Sequence, residues 1–248
     1  MRAILTWHSI DATGSVISVS PEVLKAQLAS IARLGLRVVS VPELLALDPE
    51  AHAVALTFDD AFLNFRTHAW PVLCSHGFPA TLFVVSDHVG GDNRWRGRAD
   101  GGIPTLPLLG WDDLAELRSE GVILAAHTRT HPHLTTLGDV ALEDELTVAS
   151  AEIARRTGAD VEGFAYPYGE LDARVAARAT ERYRWACTTE YRALGASERP
   201  ALLPWLDAWY FRDPSRLDAW GTPQFKAGLW LRRQARRVRS ALSPVRAA

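Results

Sequence analysis

The order of the predicted elements constrains the fold of this 248-residue chain more than any other feature. Short apolar runs typical of buried strands alternate with patterns typical of amphipathic helices. This alternation predicts an α/β fold with a mainly parallel sheet, because each helix then connects two strands that run in the same direction. The predicted strands are 3–7, 36–40, 53–58, 80–85, 122–126, 161–166 and 185–188, and the predicted helices are 21–34, 42–47, 64–74, 111–119, 139–157 and 171–182.

Two arrangements of a parallel sheet are compatible with this order. About seven strands in one domain favour a closed barrel, and an open doubly wound sheet is the alternative. No glycine-rich phosphate turn follows the first strand, as a dinucleotide-binding fold requires, so the barrel is preferred. We expect a single barrel domain over residues 1–223, followed by a basic tail over residues 224–248.

Composition excludes several classes of protein. No run approaches the roughly 18 consecutive apolar residues of a membrane-spanning helix. The chain has 27 basic and 29 acidic residues, so it lacks the positive excess that is typical of nucleic-acid-binding proteins. Its two cysteines cannot form a disulfide framework, and its first residues read as a strand instead of a signal peptide. We therefore expect a cytoplasmic protein that binds no nucleic acid.

Polar side chains follow the predicted strands at the points where those strands end. His8, the pair Asp59 and Asp60, and His127 each come directly after a strand, and Tyr168 closely follows another. In a parallel barrel the C-terminal ends of the strands share one face, where catalytic residues gather. An isolated Asp-Asp pair is often a solvated turn or a helix cap. At the end of a buried strand, however, its charges need a partner.

His127 and His131 have a spacing that allows both imidazoles to reach one cation. A single H-x-x-x-H motif is a weak signal, since such matches also arise by chance on surfaces. No glutamate follows His127, which excludes the H-E-x-x-H zinc-protease motif. Two histidines and one carboxylate would make a three-ligand site with positions open for water and substrate.

Three motifs together resemble the polysaccharide deacetylases of carbohydrate esterase family four, which share the NodB-homology domain. They are TFDD at 57–60, HTRTH at 127–131 and FAYPYG at 164–169, in this order. The combination is far more specific than any one motif, and the similar pattern covers residues 1 to about 210. The resemblance implies a distorted (β/α) barrel of seven or eight strands. It also implies removal of N-acetyl or O-acetyl groups from saccharides with a divalent metal, most commonly Zn²⁺, with Co²⁺ and Ni²⁺ as alternatives.

The resemblance also implies roles for individual residues. Asp60, His127 and His131 match the family's metal ligands. Asp59 matches its general base, and Tyr168 matches the tyrosine whose backbone N–H helps to hold the oxyanion.

The sequence departs from the family pattern at two positions. Family members usually have an arginine that orients the base where this chain has Ala165. Their catalytic histidine usually lies near the C-terminus in a Leu-x-His motif, but no histidine follows His133 here. The segment Leu5–His8 resembles that motif at the N-terminus, as in the circularly permuted poly-N-acetylglucosamine deacetylases. His8 is therefore the expected general acid, and a strand-end histidine bonded to backbone is the alternative.

Three further residues are candidate substrate contacts. Trp95 lies in a long loop predicted over 86–110, where an aromatic ring would stack on a sugar. A packed loop tryptophan is the alternative. Tyr166 and Pro167 belong to the third motif, beside the predicted site, and an ordinary turn formed by proline and glycine is the alternative there.

The tail over residues 224–248 has seven basic and no acidic residues, with apolar residues at helical spacing. A basic amphipathic helix is typical of peripheral membrane association. A helix packed on the barrel with its arginines in water is equally compatible. In the membrane interpretation, the substrate would be a lipid-linked saccharide or an exopolysaccharide precursor.

The expected function is thus metal-dependent N-deacetylation of an acetylated saccharide. An O-acetyl esterase on glycans and an allantoinase-like hydrolase of non-sugar amides keep the same site. A carbohydrate-binding protein without activity is disfavoured by the intact acidic and histidine motifs. A two-histidine-one-carboxylate iron oxygenase is disfavoured because its ligands usually have another spacing.

Overall fold

The computed structural model describes residues 1–98 and 101–242 as an α/β structure with ten strands and seven α-helices. Barrel strands begin or end within two residues of the sequence prediction in most cases, because each is an apolar run between polar turns. The strands are β1 Arg2–Trp7, β2 Ser9–Ile10, β3 Ser18–Val19, β4 Arg37–Val38, β5 Ala53–Phe58, β6 Thr81–Val84, β7 Ile123–Ala126, β8 Gly163–Ala165, β9 Trp185–Tyr191 and β10 Leu203–Asp207.

Seven of these strands close into a parallel barrel, which confirms the predicted fold class. Their order around the barrel is β1-β10-β9-β8-β7-β6-β5, and β5 pairs again with β1. β1 pairs with β5 along its whole length, from Arg2 opposite Ala53 to Trp7 opposite Phe58. The other edge of β5 is shared, since β4 pairs with its beginning and β6 with its end. This shared edge is the distortion of the barrel.

Helices cover the outside of the barrel, and most begin and end within two residues of the sequence prediction. The helix predicted over 64–74 is instead a π-helical turn at Phe65–Ala69 followed by an α-helix over Trp70–His76. They are α1 Pro21–Arg33, α2 Val41–Ala46, α3 Trp70–His76, α4 Trp111–Ser119, α5 Asp139–Thr157, α6 Ala173–Arg182 and α7 Pro223–Leu242. The Ser20 hydroxyl caps α1 by accepting the N–H of Val23, and Gly158 ends α5 in a left-handed conformation. No helix within 1–98 and 101–242 is both long enough and apolar enough to cross a membrane.

Alternate residues of each strand face two different cores. On β1, Ile4 points to the barrel interior, whereas Leu5 and Trp7 point to the layer between barrel and helices. The interior combines small residues such as Ala55 with large ones such as Trp185, so the barrel is filled. The packed interior leaves the C-terminal ends of the strands as the place for a site.

The sequence prediction missed the strand that closes the barrel. β10 contains Pro204, which lacks a backbone N–H, and its pairing with β9 shifts register between Leu203 and Trp205. A proline inside a short apolar run argues against a central strand when only the sequence is read. The barrel tolerates it because of this irregular pairing.

α7 is the helix predicted for the basic tail. Phe225 and Leu229 are buried, and the Phe225 ring stacks on Phe211, in the turn that follows β10. Residues 243–248 lie outside the described part of the chain. Trp230 and Leu231 on α7 are exposed. The contacts of α7 with the barrel do not support membrane association, which stays a prediction together with the cytoplasmic location.

Candidate active site

The barrel brings the predicted polar residues to one end. Asp59 and Asp60 follow β5, His127 follows β7, and His8 follows β1. Because these strands are parallel, their C-terminal ends meet at the same mouth. Asp60, His127 and His131 form a group whose ligand atoms all lie within 4.8 Å of one another. The three side chains are buried.

The spacing of these atoms fits one shared cation. The Oδ1 of Asp60 lies 3.6 Å from the Nε2 of His127 and 3.7 Å from the Nε2 of His131. Nitrogen and oxygen ligands about 2.1 Å from a tetrahedral Zn²⁺ would lie about 3.4 Å apart. Both separations from Asp60 are close to that value, and all three ligand atoms lie within 4.8 Å of one another, so the group is compatible with one shared metal ion.

Hydrogen bonding at the triad also fits a metal site. The Nδ1 of His127 donates to the carbonyl of Ala165 at 2.8 Å, which turns its Nε2 toward the centre. The buried Oδ1 of Asp60 has no hydrogen-bond partner in the described structure. An unpartnered buried oxygen is unfavourable, and a bound cation would satisfy it.

Burial sets the ionisation of the triad. It raises the pKa of Asp60 to about 7 and lowers the pKa of His127 to about 4. The pKa of His131 is held well below its usual value by burial and by the neighbouring His127. The histidines are therefore neutral, with lone pairs available, as metal ligands must be. The donor set of two imidazoles and one carboxylate fits Zn²⁺ and does not by itself identify the metal.

Asp59 lies between the triad and His8. Its Oδ2 is 3.7 Å from the Nε2 of His8 and 4.0 Å from the Nε2 of His127. Its backbone N–H donates to the carbonyl of Trp7 at 2.9 Å, which extends the β1–β5 pairing to the site. Burial, with Asp60 and Asp207 nearby, raises the pKa of Asp59 well above its usual value. His8 is about one quarter exposed, and burial lowers its pKa to about 4.

Backbone strain is concentrated at this site. Five non-glycine residues within 1–98 and 101–242 have positive φ angles, and they are Asp60, Ala61, Thr128, His131 and Tyr168. Each left-handed residue costs on the order of 1 kcal/mol or more. Such strain persists only where surrounding contacts impose it, and its position is typical of functional segments.

Glu145 of α5 is the main contact that imposes the conformation of the histidine loop. Its carboxylate accepts the backbone N–H groups of Arg129 and Thr130 at 2.8 and 2.9 Å, and the Thr130 hydroxyl at 2.6 Å. The His131 N–H donates to the Thr128 hydroxyl at 3.0 Å. Hydrogen bonds to the buried Glu145 carboxylate therefore fix the loop between the two histidines.

The turn at Pro167–Gly169 places Tyr168 beside the triad. Tyr168 has φ of 59°, and its ring packs edge-on against His131 and stacked on His133, with ring centroids 4.6 and 4.3 Å apart. Tyr166 and Pro167 are buried. The Tyr166 hydroxyl donates to the carbonyl of Ala201 at 3.0 Å. Their burial gives both residues a part in holding the turn, and their expected contact with substrate stays a prediction.

Trp95 lies directly over the triad. Its ring stacks on His131 with centroids 4.6 Å apart at an interplanar angle of 26°, and His88 contacts it edge-on at 4.8 Å. The predicted loop over 86–110 therefore folds back across the mouth of the barrel, although Ala99 and Asp100 lie outside the described residues. Its role as a sugar platform stays a prediction.

Sequence reasoning missed two residues of the site. Asp207 ends β10 beside Asp59, and burial raises its pKa to about 6, opposed by the Trp209 N–H and by Arg236 and Arg232. It was missed because β10 was not predicted. Glu145 was missed because a glutamate within a helix is ordinarily solvated, and nothing in the sequence marks this one as buried.

Comparison with known proteins identifies similar chains. The sequence model of the polysaccharide deacetylase family matches residues 46–183, more than half of the chain. YxkH of Bacillus subtilis (strain 168), whose name places it among the polysaccharide deacetylases, is 23% identical over 193 residues. The match covers 75% of this chain and 64% of YxkH, so this chain spans less than two thirds of that relative's length.

Solved structures share the fold at low sequence identity. The deacetylase PplD of Streptococcus pyogenes, in complex with acetate, has a TM-score of 0.69 at 20% identity over 83% of this chain and 91% of PplD. IcaB of Ammonifex degensii has a TM-score of 0.68 at 20% identity over 88% of this chain and 97% of IcaB. At this identity the similarity shows a common fold.

Proposed function

Because the chain belongs to the polysaccharide deacetylase family, we propose that it is a metal-dependent hydrolase that removes N-acetyl groups from a saccharide. The observation that supports this proposal most is the convergence of Asp60, His127 and His131 within 4.8 Å, next to a second carboxylate, that of Asp59. A bound divalent cation, with Zn²⁺ as the first choice, would supply Lewis acidity and lower the pKa of water to about 7.

Asp59 is suited to accept a proton from the attacking water. A general base works best when its pKa lies near the working pH, and burial together with Asp60 and Asp207 raises the pKa of Asp59. Ala165 stands where relatives usually have an arginine, so no guanidinium at that position lowers the pKa again. The proximity of Asp59 to the triad leaves it within reach of a water held there.

His8 is suited to protonate the departing amine from the side opposite the triad. Its Nε2 lies 3.7 Å from the Oδ2 of Asp59, and part of the ring is exposed to the cleft. Burial disfavours the imidazolium, but an ionised Asp59 beside it favours this form. With Asp59 ionised and His8 protonated, Asp59 would accept the proton of the attacking water and His8 would give its own proton to the departing amine. The backbone N–H of Tyr168 is the proposed donor to the oxyanion.

The surroundings of the triad favour a saccharide over a small non-sugar amide. Trp95 stacks on His131 and Tyr168 stands edge-on to the same ring, so two aromatic side chains flank the proposed reaction centre. Flat aromatic faces are suited to the apolar face of a sugar ring.

The test is an acetate-release assay with metal-free protein reloaded with Zn²⁺, Co²⁺ or Ni²⁺. The substrates are N-acetylglucosamine oligomers, an O-acetylated oligosaccharide and a cyclic ureide. We expect acetate from the N-acetylated oligomers only after metal is added. Release from the O-acetylated saccharide alone, or turnover of the ureide alone, would replace the proposed substrate class.

Asp59→Asn is the matched variant for the general base, since it keeps the size of the side chain. We expect it to lose a factor of about 10² to 10⁴ in turnover, the range for a positioned base. Metal content, measured on the same samples, should stay at the wild-type level because Asp60, His127 and His131 are unchanged. Near-normal turnover in this variant would show that Asp59 is not the base.

A further inference from the structure

A basic pocket opens beside the predicted catalytic turn. It has a volume of about 550 Å³, within the range of small-molecule sites, and it joins Tyr168 and Gly169 at one end to the α7 arginines at the other. The arginines that line it are Arg233, Arg236 and Arg237. Apart from Tyr168 and Gly169, its lining residues lie outside the three motifs.

A short chain of contacts connects the triad to these arginines. The Tyr168 ring lies 4.6 Å from the His131 ring. A Cβ added to Gly169 would lie 2.0 Å from the hydroxyl of Thr189, so this turn lies directly against the end of β9. Arg236 donates to the carbonyl of Thr189 at 3.3 Å. A saccharide bound over the triad would thus be separated from α7 by the turn at Pro167–Gly169 and the end of β9.

Positive charge exceeds negative charge in this pocket. Glu190 is the carboxylate among its lining residues, and it pairs with Arg233, with Arg237 at 3.2 Å and with Arg192 at 3.1 Å. Three lining arginines against one lining carboxylate leave the pocket cationic.

We propose that this pocket binds an anionic group of the saccharide, a phosphate or a carboxylate, while the acetylated sugar lies over the triad. This inference rests on the proposed function for the position of the sugar. Guanidinium groups recognise both anions because their N–H donors match pairs of oxygen atoms. The alternative is that the arginines only hold α7 against the barrel, with Arg233 and Arg237 on Glu190 and Arg236 on the carbonyl of Thr189. The three lining arginines still carry more positive charge than the one lining carboxylate neutralises.

The experiment measures binding, so that it does not depend on turnover. Metal-free full-length protein is titrated by calorimetry with methyl N-acetylglucosaminide, N-acetylglucosamine 1-phosphate and N-acetylmuramic acid, which are neutral, phosphate-bearing and carboxylate-bearing. We expect at least one anionic ligand to bind about tenfold or more tightly than the neutral one, the scale of hydrogen bonds to charged groups. The tighter of the two anionic ligands identifies the source of the charge.

Arg233→Gln/Arg237→Gln should abolish this preference. The matched control is Arg184→Gln, which also removes an arginine from an ion pair, here with Glu162 at 2.6 Å. Arg184 precedes β9, whereas the pocket lies at the end of β9, so the control should keep the preference.

Three results would overturn the anion pocket. They are equal binding of charged and neutral ligands by the wild type, an unchanged preference in the double variant, or an equal loss in the control. Acetate release is recorded separately on neutral oligomers. Failure of that assay would reject the deacetylase proposal and leave the result on anion binding valid.

Discussion

Asp60→Asn should stabilise the metal-free protein, although it removes a proposed metal ligand. Asp60 is buried, its Oδ1 has no hydrogen-bond partner, and its φ of 69° is left-handed. Asparagine keeps the shape, tolerates the left-handed conformation and has no charge to bury. We therefore expect the aspartate at position 60 to lower the stability of the metal-free protein relative to asparagine.

The magnitude follows from the pKa of Asp60, which burial raises from 3.8 to about 7. Between these values the folded protein retains a proton that the unfolded chain has released, so the free energy of unfolding falls as pH rises. The full difference corresponds to about 4 kcal/mol above pH 7. Asparagine removes this dependence, and about 3 kcal/mol of its advantage should develop between pH 5 and pH 8. His127, whose lowered pKa acts in the opposite direction, is present in both proteins and cancels.

Urea unfolding of both proteins in a chelating buffer at pH 5 and pH 8 measures this difference. We expect the gap in unfolding free energy to widen with pH, in favour of Asp60→Asn. Added Zn²⁺ should narrow the gap at pH 8, because an ion at 100 times its dissociation constant adds about 2.7 kcal/mol only to the protein that binds it. A gap that is the same at both pH values would refute the argument from burial.

Two other substitutions test the supports of the site. Glu145→Gln keeps one acceptor oxygen for the histidine loop but weakens three charge-assisted hydrogen bonds. We therefore expect a loss of about 1–3 kcal/mol in unfolding free energy and weaker Zn²⁺ binding in a competition titration. Unchanged metal affinity would show that the loop holds its shape without Glu145. Trp95→Ala removes the ring stacked on His131. We expect KM for N-acetylated oligomers to rise about fivefold or more, the scale of an aromatic contact of about 1 kcal/mol, while the metal content stays equal. An unchanged KM would show that Trp95 is only a packing residue.

The fold could be predicted from the sequence because buried strands and capped helices leave local signals. Ala53–Phe58 and Asp139–Thr157 agree with the prediction at both ends, since polar residues follow the apolar strand and glycines flank the helix. β10 could not be predicted, since Pro204 masks a strand that only the closed barrel stabilises. Barrel closure is a non-local property. No single strand sequence indicates that β1 pairs with both β5 and β10.

The triad was accessible to sequence reasoning because its residues follow strands whose ends must meet. Burial of Tyr166 was not accessible, because a motif does not say which of its side chains face the cleft and which face the core. Asp207 and Glu145 act from elements far away in the sequence, and their effect depends on distances that only the folded barrel sets.

Ala165 changes how the proposed base must be controlled. In this chain the carbonyl of Ala165 holds His127, but its side chain brings no positive charge toward Asp59. Burial, Asp60 and Asp207 all act to keep Asp59 protonated. The positive charge that ionises Asp59 must then come from the proton on His8 and from a cation at the triad. A cation at the triad lowers the pKa of Asp59 and favours its ionised form, so metal occupancy and the ionised fraction of Asp59 should rise together in this protein.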